Sequence, residues 1–419
     1  MRAIILADFA APSGGAQRVA LESARALAEA GVPVTYVHAV GRDGDPPLEH
    51  PLIEPVGLGF ADVWDLPLTK ALGNGVWNAQ AARRLKALLA GIAGPAVIHI
   101  HQWTRAFSPA ILPVCFASGH PVAITLHDYF LACPNGVYYR FDKNAPCTVA
   151  PLSLGCLVAP CDPRSRAHKA VRVLRTALTG QVLRGRDVDL IHVSDRGRDT
   201  IAPFLPQGVR HHRIDNPVAV VRREPATIGP GAKFAYIGRL TREKGADLLA
   251  LAAREAGVPA LFIGEGPLAD EIRRLNPQAE LLGWQSPDAV ARLLGGQVRA
   301  VVAPSRWYET GPLTVYEAAA AGVPTIVSAR AGAAEHVSRS ETGLIVEPEP
   351  AALAQALRCL GEGDAAARMG AAAYRRYWSA PMSPEAHASR LIAVYGTMLG
   401  AAEASAPVPQ ARPAFIPSH

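Results

Sequence analysis

The sequence lacks long apolar runs: no stretch of about 18 uninterrupted apolar residues occurs, so we predict no membrane-spanning helix. Its first residues, MRAIILADFA, are apolar only briefly before Asp8, which favours a first β-strand over a secretion signal. Charged residues are also few at 19%, whereas hydrophobic residues make up 49%, a composition typical of a well-buried soluble enzyme. We therefore expect a cytoplasmic protein.

Cysteine is sparse as well, and no C-x2-C pair occurs among the six cysteines. Four of them nevertheless fall within 29 residues, just after His127. In a reducing cytoplasm such a cluster indicates either a structural zinc site or small buried side chains, although the wide spacing disfavours zinc. The segment has little periodicity, so we expect an ordered flap beside a cleft. The four residues are Cys133, Cys147, Cys156 and Cys161.

The net charge is +6, and its excess is concentrated in residues 164–186, which hold seven Lys or Arg and no acidic residue. At helical spacing this segment predicts an apolar stripe beside a basic one. One interpretation is a solvated helix packed on its domain. The other is peripheral contact with anionic lipid on the inner face of the plasma membrane. The predicted apolar stripe is Ala167, Val171, Leu174 and Leu178, and the basic residues are Arg166, Lys169, Arg172 and Arg175.

Nucleic acid is not an expected partner, because no recognised binding motif or interleaved aromatic pattern accompanies the basic segment. Two D-x-D strings occur, at 43–45 and 187–189. The first lies in a Gly/Pro-rich loop and the second precedes its strand, so neither is a good metal site. We expect catalysis without a metal.

The length of 419 residues exceeds one ordinary hydrophobic core and predicts two domains. Short apolar runs alternate with amphipathic helical stretches, the pattern of parallel sheets covered by helices. The alternation restarts after residues 212–218, where Asn216-Pro217 favours an extended linker. We therefore predict an α/β protein with two Rossmann-like domains facing each other across a cleft. The expected ranges are 1–215, 216–366, a helical segment 367–400 that crosses back to the first domain, and a disordered tail, 401–419.

One stretch of the second domain, SRWYETGPLTVYEAAAAGVPTIVS, places a Gly-Pro pair at a predicted helix start. Pro312 suits the first helical position because its missing N–H would be unpaired there. The free amides of Leu313 and Thr314 favour an anion such as phosphate, and Gly311 lets that anion approach the backbone.

Two carboxylates flank this helix start, Glu309 before it and Glu317 about one and a half turns inside it. Carboxylates accept hydrogen bonds from pairs of hydroxyl groups, so a hexose and a ribose would suit them. A simpler interpretation is that both acids complement the helix dipole.

Three neighbouring turns favour the ligand interpretation. Arg239 and Lys244 in YIGRLTREKG follow the strand that opens the second domain, and they supply two cations for a diphosphate. The turn IGEGPL, with Gly264 and Gly266, suits a nucleoside lying against backbone. LLGWQS places Trp284 where it can hold a base edge. Because the carboxyl ends of parallel strands meet at one edge of a sheet, we expect these turns to converge.

These motifs resemble the GT-B glycosyltransferases, and within them glycosyltransferase family 4, retaining enzymes that use nucleotide-sugar donors. The resemblance covers most of residues 232–348 in order, including an E-x7-E element. By that resemblance Arg239 and Lys244 bind the donor diphosphate, Glu309 contacts the transferred sugar and Glu317 the ribose.

The N-terminal half resembles the same family more loosely, through GGAQRVA and TLHDYFLACP. The resemblance implies that Gly14 and Gly15 approach the donor phosphates across the cleft, and that His127 stands near the reacting sugar. We expect His127 to orient or partly deprotonate the acceptor, or else to form a hydrogen bond with the donor sugar. His99 and His101 share one face of a strand and can line the cleft, but we do not predict them as catalysts.

The leading hypothesis is a retaining hexosyltransferase that moves a sugar from a nucleotide-diphosphate sugar to a glycan or lipid-linked hydroxyl, in polysaccharide or glycolipid biosynthesis. Two other enzymatic interpretations remain, a nucleotide-sugar epimerase and a phosphorylase. A non-enzymatic one is a two-lobed protein that closes on a nucleotide sugar without reacting.

Overall fold

The computed structural model describes residues 1–41, 48–338 and 341–405 of the chain. Within them the chain forms two parallel β-sheets covered by helices, so the predicted α/β class with two Rossmann-like units is confirmed. No helix in these ranges is both long and apolar enough to cross a membrane.

The first unit contains a sheet whose described strands number seven and run parallel to their neighbours. A small antiparallel hairpin lies outside that sheet. The sheet strands are β1 (Arg2–Phe9), β2 (Val34–Val40), β3 (Ile53–Gly57), β4 (Ala96–Ile100), β5 (Val122–Leu126), β8 (Asp189–His192) and β9 (Arg210–Arg213), and the hairpin is β6 (Tyr139–Arg140) with β7 (Ala145–Pro146). Their order across the sheet is β3-β2-β1-β4-β5-β8-β9.

The second unit repeats this plan with six described parallel strands. They are β10 (Lys233–Ile237), β11 (Ala260–Ile263), β12 (Glu280–Leu281), β13 (Val298–Ala303), β14 (Thr325–Ser328) and β15 (Gly343–Val346). Their order is β12-β11-β10-β13-β14-β15.

Helices connect the strands of both units and cover the sheets. In the first unit they are α1 (Gly15–Glu29), α2 (Leu68–Trp77), α3 (Ala79–Ala90), α4 (Ile111–Ala117), α5 (Leu154–Val158), α6 (Arg166–Leu183) and α7 (Asp195–Ile201). In the second unit and the C-terminal segment the helices are α8 (Ala246–Ala256), α9 (Ala269–Leu275), α10 (Pro287–Leu294), α11 (Leu313–Ala320), α12 (Ala334–Ser338), α13 (Pro350–Gly361), α14 (Ala365–Ser379) and α15 (Pro384–Ser405).

The central strands are apolar on both faces because helices cover both sides of each parallel sheet. In β1 the side chains of Ile4 and Leu6 join the core on one face, whereas Ile5 joins the core on the other. Ile5 lies opposite Tyr36 of β2 and His99 of β4, and this register sets the alignment of the strand ends that carry the site.

The chain passes between the units at the position where the sequence predicted a linker. Ile214 packs in a core of the first unit, and Val218 packs in a core of the second. The amide of Val218 donates to the carbonyl of Met382 at 2.8 Å, in the segment that joins α14 to α15. Both crossings between the units therefore lie side by side.

The C-terminal helical segment is two helices rather than one. Helix α14 stays on the second unit, where Trp378 Nε1 donates to the carbonyl of Ala320 on α11 at 3.0 Å. Prolines in the sequence APMSP separate it from α15, because proline does not continue a helix. Helix α15 packs on the first unit through Leu391 and Tyr395, and it runs to Ser405, so residues 401–405 of the expected tail are helical. Residues 406–419 lie outside the described ranges.

Helix α6 turns its basic side chains inward, so the predicted outer basic stripe is wrong. Lys169 and Arg175 are 4% and 8% exposed, whereas Leu174 is 51% exposed. Arg175 Nη1 donates to the carbonyl of Thr104 at 3.1 Å, and its guanidinium lies over the Phe130 ring. These partners compensate part of the loss of water around the buried charge, and Arg175 Nη2 has no hydrogen-bond partner among the described residues. Lys169, Arg172 and Arg175 face inward in this way, and Arg166 is exposed.

Candidate active site

The turn between β13 and α11 holds the first carboxylate of the site. Glu309 is 8% exposed, and it accepts hydrogen bonds from Lys244 Nζ at 2.7 Å and from the hydroxyl of Ser305. Burial raises the pKa of Glu309, but the charge and hydrogen bond of Lys244, the hydrogen bond of Ser305 and the charge of Arg239 together outweigh it. The pKa therefore lies below its usual value. Glu309 is therefore an anion paired with a cation at neutral pH.

Gly245 explains how Lys244 reaches that carboxylate. Its φ is +75°, and a Cβ at this position would lie 2.2 Å from the carbonyl oxygen of Pro304. Only glycine lets the loop after β10 approach the end of β13 so closely. The glycine of the GRLTREKG motif thus positions its lysine.

Arg239 lies earlier in the same loop and is exposed. The hydroxyl of Tyr236 donates to the Arg239 carbonyl at 2.7 Å, which fixes the backbone there. The charge of Arg239 also contributes to the lowered pKa of Glu309, so its guanidinium is near that carboxylate. Within the described part of the chain this guanidinium has no ion-pair partner, and its charge is available to a ligand.

Helix α11 begins at Leu313 with Pro312 as its N-cap, one residue later than the sequence predicted. The ψ angle of Pro312 is 111°, which is extended, so the proline precedes the helix instead of opening it. No acceptor among the described residues pairs with the amides of Gly311, Leu313 or Thr314. These amides and the positive end of the helix dipole are open to an anion.

Gly264 and Gly266 have a packing role in the structure. Their φ angles are +133° and +157°, and a Cβ on either residue would lie within 2.5 Å of a carbonyl oxygen of the 238–240 loop. Close contact of the two loops therefore requires glycine at both positions. The same contact supports the backbone that carries Arg239.

A cavity of about 740 Å³ lies between the two units, within the range of small-molecule sites. Trp284 and Glu317 line it from the second unit, and Arg18 and Glu22 line it from the first. Trp284 is 68% exposed despite its large apolar ring. The lining does not include Arg239, Lys244 or Glu309, which form a second cluster connected to the cavity through the first turn of α11.

Gly14 and Gly15 start α1 across the cleft. A Cβ on Gly15 would meet nothing within 4 Å, and one on Gly14 would lie 3.6 Å from the Gln17 side chain. Protein packing therefore does not require glycine at these two positions.

Arg18 is a site residue that the sequence reasoning missed. Its Nη1 donates to Glu317 Oε1 at 3.0 Å across the cleft, and its Nε donates to Glu22 at 2.8 Å. Burial raises the pKa of Glu22, and Arg18 opposes that rise. The carboxylate expected to bind ribose thus holds an arginine from the other unit. The available signal was a lone arginine one turn into the glycine-started helix.

His127 stands at the end of β5, beside the Glu309 loop. Thr310 Oγ1 donates to the His127 carbonyl at 2.8 Å, which joins the two units at this point. Burial and the nearby His387 lower the pKa of His127 to about 3, so its imidazole is neutral. Burial raises the pKa of the adjacent Asp128 to about 6.

Glu335 forms another contact between the units that the sequence did not reveal. Its carboxylate accepts hydrogen bonds from the amides of Asp195 and Arg196 in the first turn of α7. Nearby, a Cβ on Gly332 would lie 2.5 Å from the Ser194 side chain. These contacts hold the Glu309 loop against the first unit.

The structure does not support the structural zinc site, which is the less favoured of the two interpretations of the cysteine cluster. No group of three potential ligands in the described ranges is arranged to hold a metal ion. Instead the ammonium of Lys169 lies among the thiols, with Nζ 2.9 Å from Cys161 Sγ and 3.7 Å from Cys156 Sγ. The lack of support for zinc concerns all four cysteines of the cluster, Cys133, Cys147, Cys156 and Cys161.

The second D-x-D string is part of an ion-pair network. Arg210 binds both Asp187 and Asp189, and His212 Nε2 lies 2.6 Å from Asp189 Oδ1. The first string, residues 43–45, lies outside the described ranges.

Two protein-family models match the chain. The model of glycosyl transferases group 1 matches residues 221–376, and the model of glycosyltransferase family 4 matches residues 13–151. Glycogen synthase from Mycobacterium tuberculosis is 36% identical over 166 residues, which are 37% of this chain and 39% of that relative. The chain therefore matches only about two-fifths of the length of this relative.

Two solved structures resemble the whole chain. Sucrose-phosphate synthase from Thermosynechococcus elongatus has a TM-score of 0.67 and 22% identity, and the match covers 96% of this chain and 100% of that one. HepE from Anabaena, solved in complex with UDP-glucose, has a TM-score of 0.63 and 15% identity, with 95% and 100% coverage. At these identities the likeness concerns the fold. The chain therefore belongs to glycosyltransferase family 4 and has the GT-B fold, as the sequence motifs predicted.

Proposed function

We propose that the chain transfers a hexosyl group from a nucleoside-diphosphate sugar to a hydroxyl of a glycan or lipid-linked acceptor, in polysaccharide or glycolipid synthesis. One observation carries this proposal: Lys244, Arg239 and the unpaired amides at the start of α11 surround Glu309. Relatives named glycogen synthase and an enzyme solved with UDP-glucose support a nucleotide-sugar donor.

The proposed chemistry centres on the leaving diphosphate. Cleavage of the glycosyl–phosphate bond leaves negative charge on that group, and fixed positive groups lower the energy of the transition state. Lys244 and Arg239 supply two full charges, and the amides near Gly311 supply oriented dipoles. In this proposal the chain itself provides the balancing charge, so the step needs no metal ion.

The two carboxylates of the E-x7-E element would hold hydroxyl groups of the donor. We assign Glu309 to the transferred sugar and Glu317 to the ribose, with Trp284 against the base. Glu317 is paired with Arg18. Ribose binding would therefore rearrange this ion pair, and Arg18 would then be free to approach the donor phosphates beside Gly15.

Retention at the anomeric carbon follows from the family resemblance. In a front-face reaction the acceptor oxygen bonds the anomeric carbon as the bond from that carbon to the phosphate oxygen breaks. A leaving phosphate oxygen takes the acceptor proton, so the protons balance without a protein base. His127 would form a hydrogen bond with the sugar or with the acceptor during this step.

The experiment is a panel of nucleoside-diphosphate sugars with oligosaccharide and lipid-linked acceptors, in which released nucleotide and product configuration are measured. Acceptor-dependent release with a retained anomeric centre is the expected result. Tight donor binding without release from any donor would instead identify a binding protein. A donor converted to its epimer without acceptor would identify an epimerase.

Peripheral membrane contact is proposed in a narrower form than the sequence suggested. The cations of α6 that face inward cannot contact lipid, whereas Arg164 and Arg166 are exposed. In the nearby helix α5, Leu154 is 81% exposed and Val158 is 78% exposed. Apolar side chains flanked by cations suit an anionic lipid surface. Co-sedimentation with phosphatidylglycerol vesicles tests this membrane contact. We expect the Leu154→Ser and Val158→Ser variants to co-sediment less than the wild type. Equal sedimentation of wild type and variants would exclude it.

A further inference from the structure

Two histidines from neighbouring strands meet at the edge of the cleft. His101 follows β4 and His127 follows β5, and His101 Nδ1 lies 3.0 Å from His127 Nε2. Their rings are stacked, with centroids 5.3 Å apart and planes 25° apart. His101 is 2% exposed, and its amide donates to the Leu6 carbonyl at 2.9 Å. The pair is therefore held by the sheet and does not depend on a mobile loop.

Both rings are neutral near pH 7. Burial, together with the neighbouring His99, lowers the pKa of His101 well below its usual value, and His127 behaves in the same way. A neutral imidazole carries one N–H and one bare nitrogen. The contact between the rings therefore has one donor and one acceptor, and only two arrangements are available.

The other nitrogen of His101 distinguishes these arrangements. His101 Nε2 is buried and has no hydrogen-bond partner among the described residues. Buried N–H groups without a partner are rarer than buried acceptors without one. The proton of His101 therefore belongs on Nδ1, where it donates to His127 Nε2. That hydrogen bond leaves His127 with its own proton on Nδ1.

We propose that His101 is a positioning residue that holds His127 in the Nδ1–H tautomer, so that His127 offers the ligand a hydrogen-bond donor and not a base. The tautomer is a property of the protein alone, whereas its effect on turnover rests on the proposed function. If the proposal holds, His127 does not take the acceptor proton, and the leaving phosphate oxygen must take it.

His99 packs against His101 and is itself held by hydrogen bonds. The ring of His99 lies 4.2 Å from that of His101, centroid to centroid. His99 is fixed by hydrogen bonds of 2.6 Å to Thr125 Oγ1 and to the hydroxyl of Tyr395. Tyr395 belongs to α15, so the helix that crosses back to the first unit completes the support of the pair.

The direct test is nitrogen NMR of the full-length protein labelled with ¹⁵N-histidine, without substrate at pH 7. His127 is assigned by its loss in His127→Asn. We expect its Nδ1 to carry the proton and its Nε2 to be bare and hydrogen-bonded. A proton on Nε2 of His127 would overturn the proposal whether or not transfer activity is ever detected.

A matched set of variants tests the consequence for catalysis. In His101→Asn the side-chain NH2 takes the place of Nδ1–H and keeps the donor, whereas His101→Leu removes it. We expect kcat to fall about 10- to 100-fold in His101→Leu, with less than about twofold change in KM, and to recover most of this loss in His101→Asn. His120→Leu, at the opposite end of β5, should retain wild-type kinetics.

The NMR and kinetic results must agree. His101→Leu should also change the His127 spectrum to a mixture of tautomers, whereas His101→Asn should keep the wild-type pattern. Equal losses of kcat in both variants, with the wild-type tautomer retained in both, would contradict a positioning role. If His101→Leu does not fold, the wild-type spectrum and the Asn variant still decide the question.

Discussion

Gly245→Ala is a sharp test of the loop geometry that brings Lys244 to Glu309. The left-handed backbone at Gly245 costs a non-glycine residue about 1–2 kcal/mol. In addition the new Cβ would lie 2.2 Å from the Pro304 carbonyl oxygen, so the end of β13 must move. Overpacking of this kind costs a further 1–3 kcal/mol approximately. We expect a total loss of about 2–5 kcal/mol of unfolding free energy.

The matched control is Gly257→Ala at the other end of α8. Gly257 has a similar φ, +67°, but a Cβ there would meet nothing within 4 Å. The control should lose only the backbone cost, about 1–2 kcal/mol. Urea unfolding followed by far-UV circular dichroism measures both variants. Gly245→Ala should also lower turnover, because moving the loop separates Lys244 from its site. Equal stability of the two alanine variants would refute the close approach.

Three further predictions concern the charged residues of the site and the histidines of the first unit. Lys244→Met should lower kcat about 100-fold in the nucleotide-release assay, since it removes a charge from the leaving group, while Arg273→Met on the surface should change it less than about twofold. Arg18→Met should raise the affinity for a nucleoside in calorimetry, because it frees the Glu317 carboxylate that we assign to the ribose. Unchanged or lower affinity would contradict that assignment of Glu317. Below pH 6.5 histidines bind protons in the unfolded chain, whereas His99 and His127 stay neutral in the folded protein because burial lowers both pKa values to about 3. The free energy of unfolding should therefore fall by up to about 1.4 kcal/mol per pH unit per histidine as the pH drops from 6.5 towards 3. His127→Asn should lessen this dependence, and an unchanged slope would contradict the burial argument.

The sequence predicted the second unit well because its signals are local. The apolar run 299–305 corresponds to β13 at Val298–Ala303, and its motifs all lie in turns after parallel strands. Topology alone brings such turns to one edge of a sheet. Proximity of Lys244 to Glu309 was thus accessible without coordinates, although the role of Gly245 was not.

Contacts between distant parts of the chain were not predictable in this way. Helical periodicity identified α6 but gave the wrong outward face, because it counts Lys169 and Arg175 as polar and takes no account of buried partners. The Arg18–Glu317 pair joins residues 299 positions apart, which no local pattern encodes. Clustering of the cysteines raised zinc as one interpretation, whereas the structure places the ammonium of Lys169 beside two of the thiols.

The central claim is that Lys244, Arg239 and the amides at the start of α11 bind the diphosphate of the donor. Calorimetric titration of the protein with UDP, GDP and ADP, each compared with its monophosphate, tests it most directly. For the base that the site accepts, we predict that the nucleoside diphosphate binds about 10- to 100-fold more tightly than the monophosphate. This difference corresponds to one or two charge-assisted hydrogen bonds. The Arg239→Met and Lys244→Met double variant should lose that preference. Equal affinity of wild type for diphosphate and monophosphate, or an undiminished preference in the double variant, would contradict the account.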